Sequence, residues 1–386
     1  LIISILILLI NTNCSLDTKS GIWTNNDNFK KIAISNKKSE LLFSKNVINQ
    51  KEFNQSFLIR TPLKRKFENN FYQTNNDNLY LINDNLNKSS QYKFSKIKYF
   101  NFFEPRLVFD KKNLIFFNKE GSIIKFDDKS KNVWKKNYYN KKEKKLLPLL
   151  NFSTDGNILI VTDSLSNYYA LEIETGELIW KKSHNSIFIS DIKIDNGYFF
   201  VIDSNNEIHC FSLLNGKRIW NFRTDNELIK SQKKLSIVYD DKNVYFNNSK
   251  GDIYSLNKEN GNLAWITPTN IDNQNQSFFL KNSKLVLSNN SIYFSNNFNN
   301  FFSLDKNNGF INWGQNINSD LKPVIINNLI LTISLEGYLY IVEKNTGNII
   351  RITDVFNDFK DRKRKTIYPV GFILSNRNIY LSLNTG

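Results

Sequence analysis

Two cysteines and two histidines, Cys14, Cys210, His184 and His209, are all the thiol and imidazole chemistry in this chain of 386 residues. His209 and Cys210 are adjacent in "EIHCF". A thiol beside an imidazole could form a nucleophile with its base, or two ligands of a zinc ion. The run reads as a β-strand, however, and neighbouring strand residues point to opposite faces, so the two would not converge. His209 is accordingly read as structural and Cys210 as a small buried thiol. His184 stands in a polar loop, "KKSHNS". Asp and Asn are plentiful, but no spaced cluster of them suggests a calcium site, and no glycine-rich run suggests a phosphate loop. The expectation is no catalytic residue, no metal and no cofactor.

Cys14 calls for a different chemistry. It follows "LIISILILLI", ten residues that are apolar except for Ser4, and then "NTN". A spanning helix needs about 20 apolar residues, so this run fits the h-region of a secretory signal. The sequence opens on Leu1 and holds no Met, so the residues before it are expected to supply the basic n-region. A cysteine at this place resembles the lipobox of bacterial lipoproteins, which implies acylation of Cys14 and anchoring by several acyl chains. Asn13 and Asn11 depart from that pattern, which prefers a small and an aliphatic residue there. Ser15, and not Asp, would follow the lipidated residue, which points to the outer membrane. The expected domains are a partial signal peptide over 1–13, the lipidated Cys14 and a tether over 14–56, and a repeat domain over 57–386. With Cys14 lipidated, Cys210 has no partner for a disulfide.

Lys and Arg number 52 against 36 Asp and Glu, a net charge of +16. Such an excess raises a polyanion-binding reading. The basic runs "LKRK" at 63–66, "KKEKK" at 141–145 and "KDRKRK" at 360–365 are short and scattered, whereas a polyanion site gathers its charge on one face. They read as solvated loop charge, and no nucleic-acid partner is expected. Apolar residues make up 40% and aromatics 14%, enough for a core of β-favouring residues.

The elements that must carry these groups repeat. "YYALEIETGELIW", "IHCFSLLNGKRIW", "IYSLNKENGNLAW" and "FFSLDKNNGFINW" share a glycine four residues before a tryptophan: Gly176/Trp180, Gly216/Trp220, Gly261/Trp265 and Gly309/Trp313. A fifth unit keeps Gly347 but has Arg351 in the Trp place, and an earlier one keeps Trp134 with Ser130 in the Gly place. The Trp positions 134, 180, 220, 265, 313 and 351 are 38 to 48 residues apart, which suits four short strands per unit. In "KLSIVYDDKNVYFNNSKGDIYSLNKENGNLAW" four apolar runs are parted by "DDK", "SKG" and "KENG". Asn-Gly, a pair that accepts the positive φ of a tight hairpin, closes three of the last turns. No sustained 3.6-residue period competes with this reading. The fold class is all-β, a β-propeller of four-stranded antiparallel blades. Eight blades are the best count and seven the alternative, with "DNLYLIND" at 77–84 supplying strands and the ring closing with chain from both ends. The last blade is expected to be incomplete at Gly386.

The phrase small-x-Asp-x-x-x-Gly-x-x-x-Trp resembles the tryptophan-docking motif of pyrroloquinoline-quinone-type propeller repeats, over about residues 105–386. Ala170, Cys210, Ser255 and Ser303 fill its small position. The resemblance implies that Trp134, Trp180, Trp220, Trp265 and Trp313, with Gly176, Gly216, Gly261, Gly309 and Gly347, tie neighbouring blades together. Members of that family include quinone-dependent dehydrogenases, which carry a vicinal Cys-Cys disulfide over the cofactor; no such pair exists in this chain. It is also similar to the propeller lipoproteins of the bacterial outer-membrane β-barrel assembly machinery. That likeness implies a non-catalytic, lipid-anchored scaffold that binds the periplasmic domains of the barrel-inserting protein, with unfolded barrel proteins as further partners. A periplasmic quinoprotein-like dehydrogenase is the alternative, and a polyanion-binding propeller the second. Partner contacts are expected in the long inter-blade segments 223–234 and 267–277, at Arg223, Asp225, Lys230, Gln232, Asn273 and Asn275.

Overall fold

The structure is a computed structural model that describes residues 80–81, 91–95, 97, 107–224, 230–231, 233–269, 279–280, 282–296, 300–375 and 378–385. The chain divides into two units, Leu1–Asn49 and Gln50–Gly386, and every described residue belongs to the second. Cys14, the signal and the tether lie outside the described residues, as do "LKRK" and Gly386.

A short strand, β1 (Tyr80–Leu81), comes first. Blade one is β2 (Val108–Asp110), β3 (Asn113–Phe117), β4 (Ile123–Phe126) and β5 (Asn132–Lys136). Blade two is β6 (Leu150–Thr154), β7 (Ile158–Asp163), β8 (Asn167–Glu172) and β9 (Leu178–Ser183). Blade three is β10 (Lys193–Asp195), β11 (Tyr198–Ile202), β12 (Glu207–Ser212) and β13 (Arg218–Arg223). After β14 (Lys230–Ser231) comes blade four: β15 (Ile237–Tyr239), β16 (Asn243–Asn247), β17 (Ile253–Asn257) and β18 (Leu263–Thr267). After β19 (Phe279–Leu280) comes blade five: β20 (Val286–Ser288), β21 (Ser291–Asn296), β22 (Asn300–Asp305) and β23 (Ile311–Asn316). Blade six is β24 (Val324–Ile326), β25 (Leu329–Ile333), β26 (Tyr338–Glu343) and β27 (Ile349–Asp354). Finally β28 (Pro369–Ser375) pairs antiparallel with β29 (Ile379–Leu383).

Each of the six complete sheets is an antiparallel meander in sequence order, the expected β-propeller blade. The seventh sheet joins segments far apart in sequence: β1 runs parallel to β28, with Tyr80 opposite Leu374. Thus "DNLYLIND" does contribute a strand to the closing sheet. The described residues hold six four-stranded sheets, this three-stranded one and a two-stranded pairing of β14 with β19.

The core lies between blades rather than within them, because a single sheet has no second layer to cover its face. Ile160, Tyr168 and Ala170 of blade two pack against Phe199, Val201 and Phe211 of blade three. Phe200 and Cys210 of blade three pack against Val244 and Phe246 of blade four in the same way. Leu374 and Phe372 of the closing sheet extend the pattern onto blade six, and Phe94 packs edge-on against Phe116 of blade one.

Two local expectations need correction. In the Asn-Gly turns only the glycine takes positive φ: +63° at Gly216, +73° at Gly261 and +76° at Gly309. The asparagine instead accepts a backbone N–H two residues on, Asn215 from Lys217 at 2.9 Å and Asn260 from Asn262 at 2.9 Å. These are longer turns with a bulge, in which the asparagine works as an Asx turn. Second, "KKEKK" forms a short helix, α1 (Lys141–Lys145), and not a loop. Asn140 accepts from the Lys142 and Glu143 amides while Glu143 accepts from the Asn140 amide, a complete capping box. "KDRKRK" holds a second short helix, α2 (Asp361–Arg364). Neither buries a residue, so both runs are solvated charge as expected.

Candidate functional site

The repeated phrase builds one joint five times over. Each indole N–H donates to a carbonyl of the following blade: Trp134 to Ile173 at 3.2 Å, Trp180 to Leu213 at 2.9 Å, and Trp220 to Lys258, Trp265 to Lys306 and Trp313 to Lys344, each at 3.0 Å. Directly across the sheet from Trp180, Trp220, Trp265 and Trp313 stand Ala170, Cys210, Ser255 and Ser303. In four of the five joints the residue opposite the indole is therefore small. The turn glycine of each following blade faces the same ring: a Cβ on Gly176, Gly216, Gly261, Gly309 or Gly347 would fall 2.5 to 2.7 Å from Trp134, Trp180, Trp220, Trp265 or Trp313.

Lysines reinforce these joints. Lys258 and Lys306, whose carbonyls receive the indoles, send their ammonium groups back to the previous blade, to Asp195 at 2.6 Å and Asp240 at 2.9 Å. Lys344 reaches Ser288 Oγ at 3.0 Å from the same place in blade six. In blade one the residue opposite Trp134 is Lys125, fully buried, and it bridges Asp110 at 2.8 Å and Glu174 of blade two at 2.9 Å. These lysines lie outside the basic runs 63–66, 141–145 and 360–365. The signal that could have found them is a lysine at equivalent places of successive units, 258, 306 and 344.

Of the expected partner contacts, Asp225, Gln232, Asn273 and Asn275 lie outside the described residues. Arg223 ends β13 and is held by Glu207 at 3.1 Å while its side chain stays more than half exposed. Lys230 forms β14, which runs parallel to β19, Lys230 opposite Phe279 and Ser231 opposite Leu280. The connections into blades four and five thus meet. The first of them also touches two further blades: Lys234 donates to Asn151 of blade two at 2.9 Å, and Lys233 pairs at 2.9 Å with Asp320, which leads into blade six. A cavity of about 390 Å³ beside it is lined by Lys233, Lys234, Lys284, Lys322, Asp320 and Phe372, among others.

The cysteine and histidines are placed as follows. Burial pushes the Cys210 thiol up to about 12, so it is neither a nucleophile nor a ready ligand at neutral pH. His209 points away from Cys210, as the strand alternation requires, and its Nε2 lies 3.3 Å from Asp203 Oδ2. His184, remote in sequence, stacks edge-on against it with ring centroids 4.7 Å apart. Burial, then the neighbouring His209, lowers the His184 pKa. Burial also opposes the charge on Asp203, but the His209 hydrogen bond and the Asn205 and Glu207 amides outweigh it and hold the carboxyl below its usual range. One ligand-type atom from each of His184, Asp203 and His209 lies within 4.8 Å of the others. The sequence rightly kept His209 apart from Cys210, but it gave no sign that His184 and Asp203 stand beside it.

Among solved structures, BamB from Moraxella catarrhalis matches with a TM-score of 0.51 at 13% identity, over 72% of this chain and 93% of that one. A europium-containing methanol dehydrogenase matches with a TM-score of 0.54 at 12% identity, over 72% of each chain. At such identities the two likenesses establish the fold alone. A search of curated proteins finds no match. The sequence itself is more specific: a family profile fits residues 119–353, more than half of the chain, from the second turn of blade one to the last strand of blade six. With the fold and the docking joints, that fit places the chain in the family described as outer membrane protein assembly factor BamB.

Proposed function

We propose that this protein is a non-catalytic scaffold that binds protein partners during assembly of β-barrel proteins into the outer membrane, held at the periplasmic face by lipid on Cys14. The observation that carries this reading is the family match over the blades themselves. The geometry supports it in two ways. The recurrent residues are consumed in joining blades, which makes a rigid ring and leaves recognition to the connections. The two connections expected to carry the contacts pair as β14 and β19, and strand edges there can take up an extended segment of a partner. Lys125, Lys233, Lys258 and Lys306 are paired within the ring, which weakens the polyanion reading. A quinoprotein-like dehydrogenase would need a covering group in place of the vicinal disulfide, and Cys210 is a buried single thiol.

The test is direct binding between the purified protein and the periplasmic domains of the barrel-inserting protein. Saturable binding is expected, and replacing Arg223 and Lys230 together by alanine should weaken it by about tenfold with no change in the thermal midpoint. No binding by the unaltered protein would sink the reading. Anchoring is separable: Cys14→Ser should move the protein from the membrane to the soluble fraction, and unchanged fractionation would exclude lipid on Cys14 as the anchor.

A further inference from the structure

We infer that His184, Asp203 and His209 form a transition-metal site, zinc being the ion best suited, that clamps the linker after blade two onto blade three. The chain has only two histidines. They come from different blades, and the fold puts them face to edge beside one buried carboxylate. Two imidazoles and a carboxylate suit Zn²⁺ or its first-row neighbours, and not Ca²⁺ or Mg²⁺, which prefer oxygen.

Comparison with the neighbouring blade shows what is unusual here. Asp163 occupies the equivalent turn in blade two, where its Oδ1 accepts from the Leu165 and Asn167 amides. Its Oδ2 is met by the Tyr139 hydroxyl at 2.6 Å and by the Asn167 amide group at 3.0 Å, donors that satisfy the carboxylate completely. In blade three Asp203 Oδ1 accepts from the Asn205 and Glu207 amides, at 2.8 and 3.1 Å. Oδ2, however, faces imidazole nitrogen, and at 3.3 Å the contact is long for a hydrogen bond to a carboxylate. Ligands roughly 2.0–2.1 Å from a tetrahedral centre stand about 3.3 Å from one another, so this separation is already that of two corners of a zinc site.

The surroundings supply part of an outer shell. His184 Nδ1 lies 3.2 Å from both the Ser186 amide, which can donate to it, and the Ser186 carbonyl; a proton kept on Nδ1 for the carbonyl leaves Nε2 bare for the ion. Asp203 is fixed by its two amide bonds, and Phe188 and Phe211 flank the imidazoles. His209 Nδ1 is buried with no hydrogen-bond partner among the described residues. Metal on Nε2 would move a proton to that nitrogen, and the missing acceptor lowers affinity by about tenfold to a hundredfold relative to a site with a complete shell. The expected affinity is therefore micromolar. His184, half-buried, is the side from which an ion enters.

The experiment uses the full chain without a polyhistidine tag, treated with chelator and titrated with Zn²⁺ by calorimetry and with Co²⁺ by absorption. One ion per chain is expected, with the visible bands of tetrahedral Co²⁺ and a thermal midpoint that rises with zinc. His184→Ala, chosen because it is the least buried of the three, should keep the circular dichroism of the parent and lose at least about tenfold in affinity together with the zinc-induced rise. Asp203→Asn, which keeps an acceptor for both amide bonds, should behave alike. Absence of stoichiometric binding, or binding and a zinc-induced rise that survive His184→Ala, overturns the assignment.

Discussion

Replacing Gly261 by alanine should destabilise the ring by about 2–5 kcal/mol in a urea titration. Two costs combine. Gly261 has φ of +73°, a conformation that costs an L-residue roughly 1–2 kcal/mol. Its new Cβ would stand 2.7 Å from the Trp220 ring, and forcing the indole aside adds roughly 1–3 kcal/mol of overpacking. The fold contains the control that separates them. Gly197 has nearly the same φ, +79°, and nothing within 4 Å of a Cβ. Gly197→Ala should therefore show the backbone cost alone. Equal losses at the two positions would mean that the indole yields freely and that the glycine serves only its turn. A double-mutant cycle with Trp220→Ala gives the same answer from the other side: with the ring gone, Gly261→Ala should fall back to the Gly197 value. Unfolding of a repeat ring need not be two-state, so the comparison should use matched transitions by fluorescence and circular dichroism.

Lys125→Met is the second large effect expected, a loss of about 3–5 kcal/mol. Lys125 and Asp110 are both buried and 2.8 Å apart, and Asp110 Oδ2 has no other partner among the described residues. Removing the ammonium leaves an uncompensated carboxylate in the interior, which costs more than the methionine's packing can return. Lys125→Met combined with Asp110→Leu should recover most of the loss, because replacing a buried pair with apolar groups is often nearly neutral. The change also has a pH signature. The hydrogen bond from Lys125, and next that from Lys111, lowers the pKa of Glu174. A folded pKa below the unfolded one stabilises the protein at neutral pH, and this contribution is lost as pH falls through the carboxylate range. Lys125→Met should therefore flatten the acid side of the stability profile. Glu174 is exposed, so the Asp110 pair and not this one sets the size of the effect.

The blades were legible in the sequence because each repeats a local pattern. The glycine-to-tryptophan interval, the apolar runs and the turns between them all lie within one unit of 38 to 48 residues. Strand pairing inside a blade is between consecutive segments, so its register follows from turn and alternation. Even the small residues opposite the indoles could be read, since Ala170 and Trp180 belong to one hairpin. Lys258 and Lys306 were not legible as joints. Their partners, Asp195 and Asp240, lie 63 and 66 residues back in another blade, and a charged residue after a strand looks the same whether solvent or a carboxylate awaits it.

The histidines show the same division. Alternation along β12 correctly parted His209 from Cys210, and nothing local could bring His184 to it. By itself the sequence determined the all-β class, the blade repeat, the docking tryptophans and their glycines, because those contacts follow the short-range period. Only the tertiary structure decided which lysines bridge blades, that β14 and β19 run side by side, and that both histidines share one carboxylate. Assembling the blades makes residues of different units neighbours, and a contact made once, such as the histidine pair or β14 beside β19, leaves no period in the sequence.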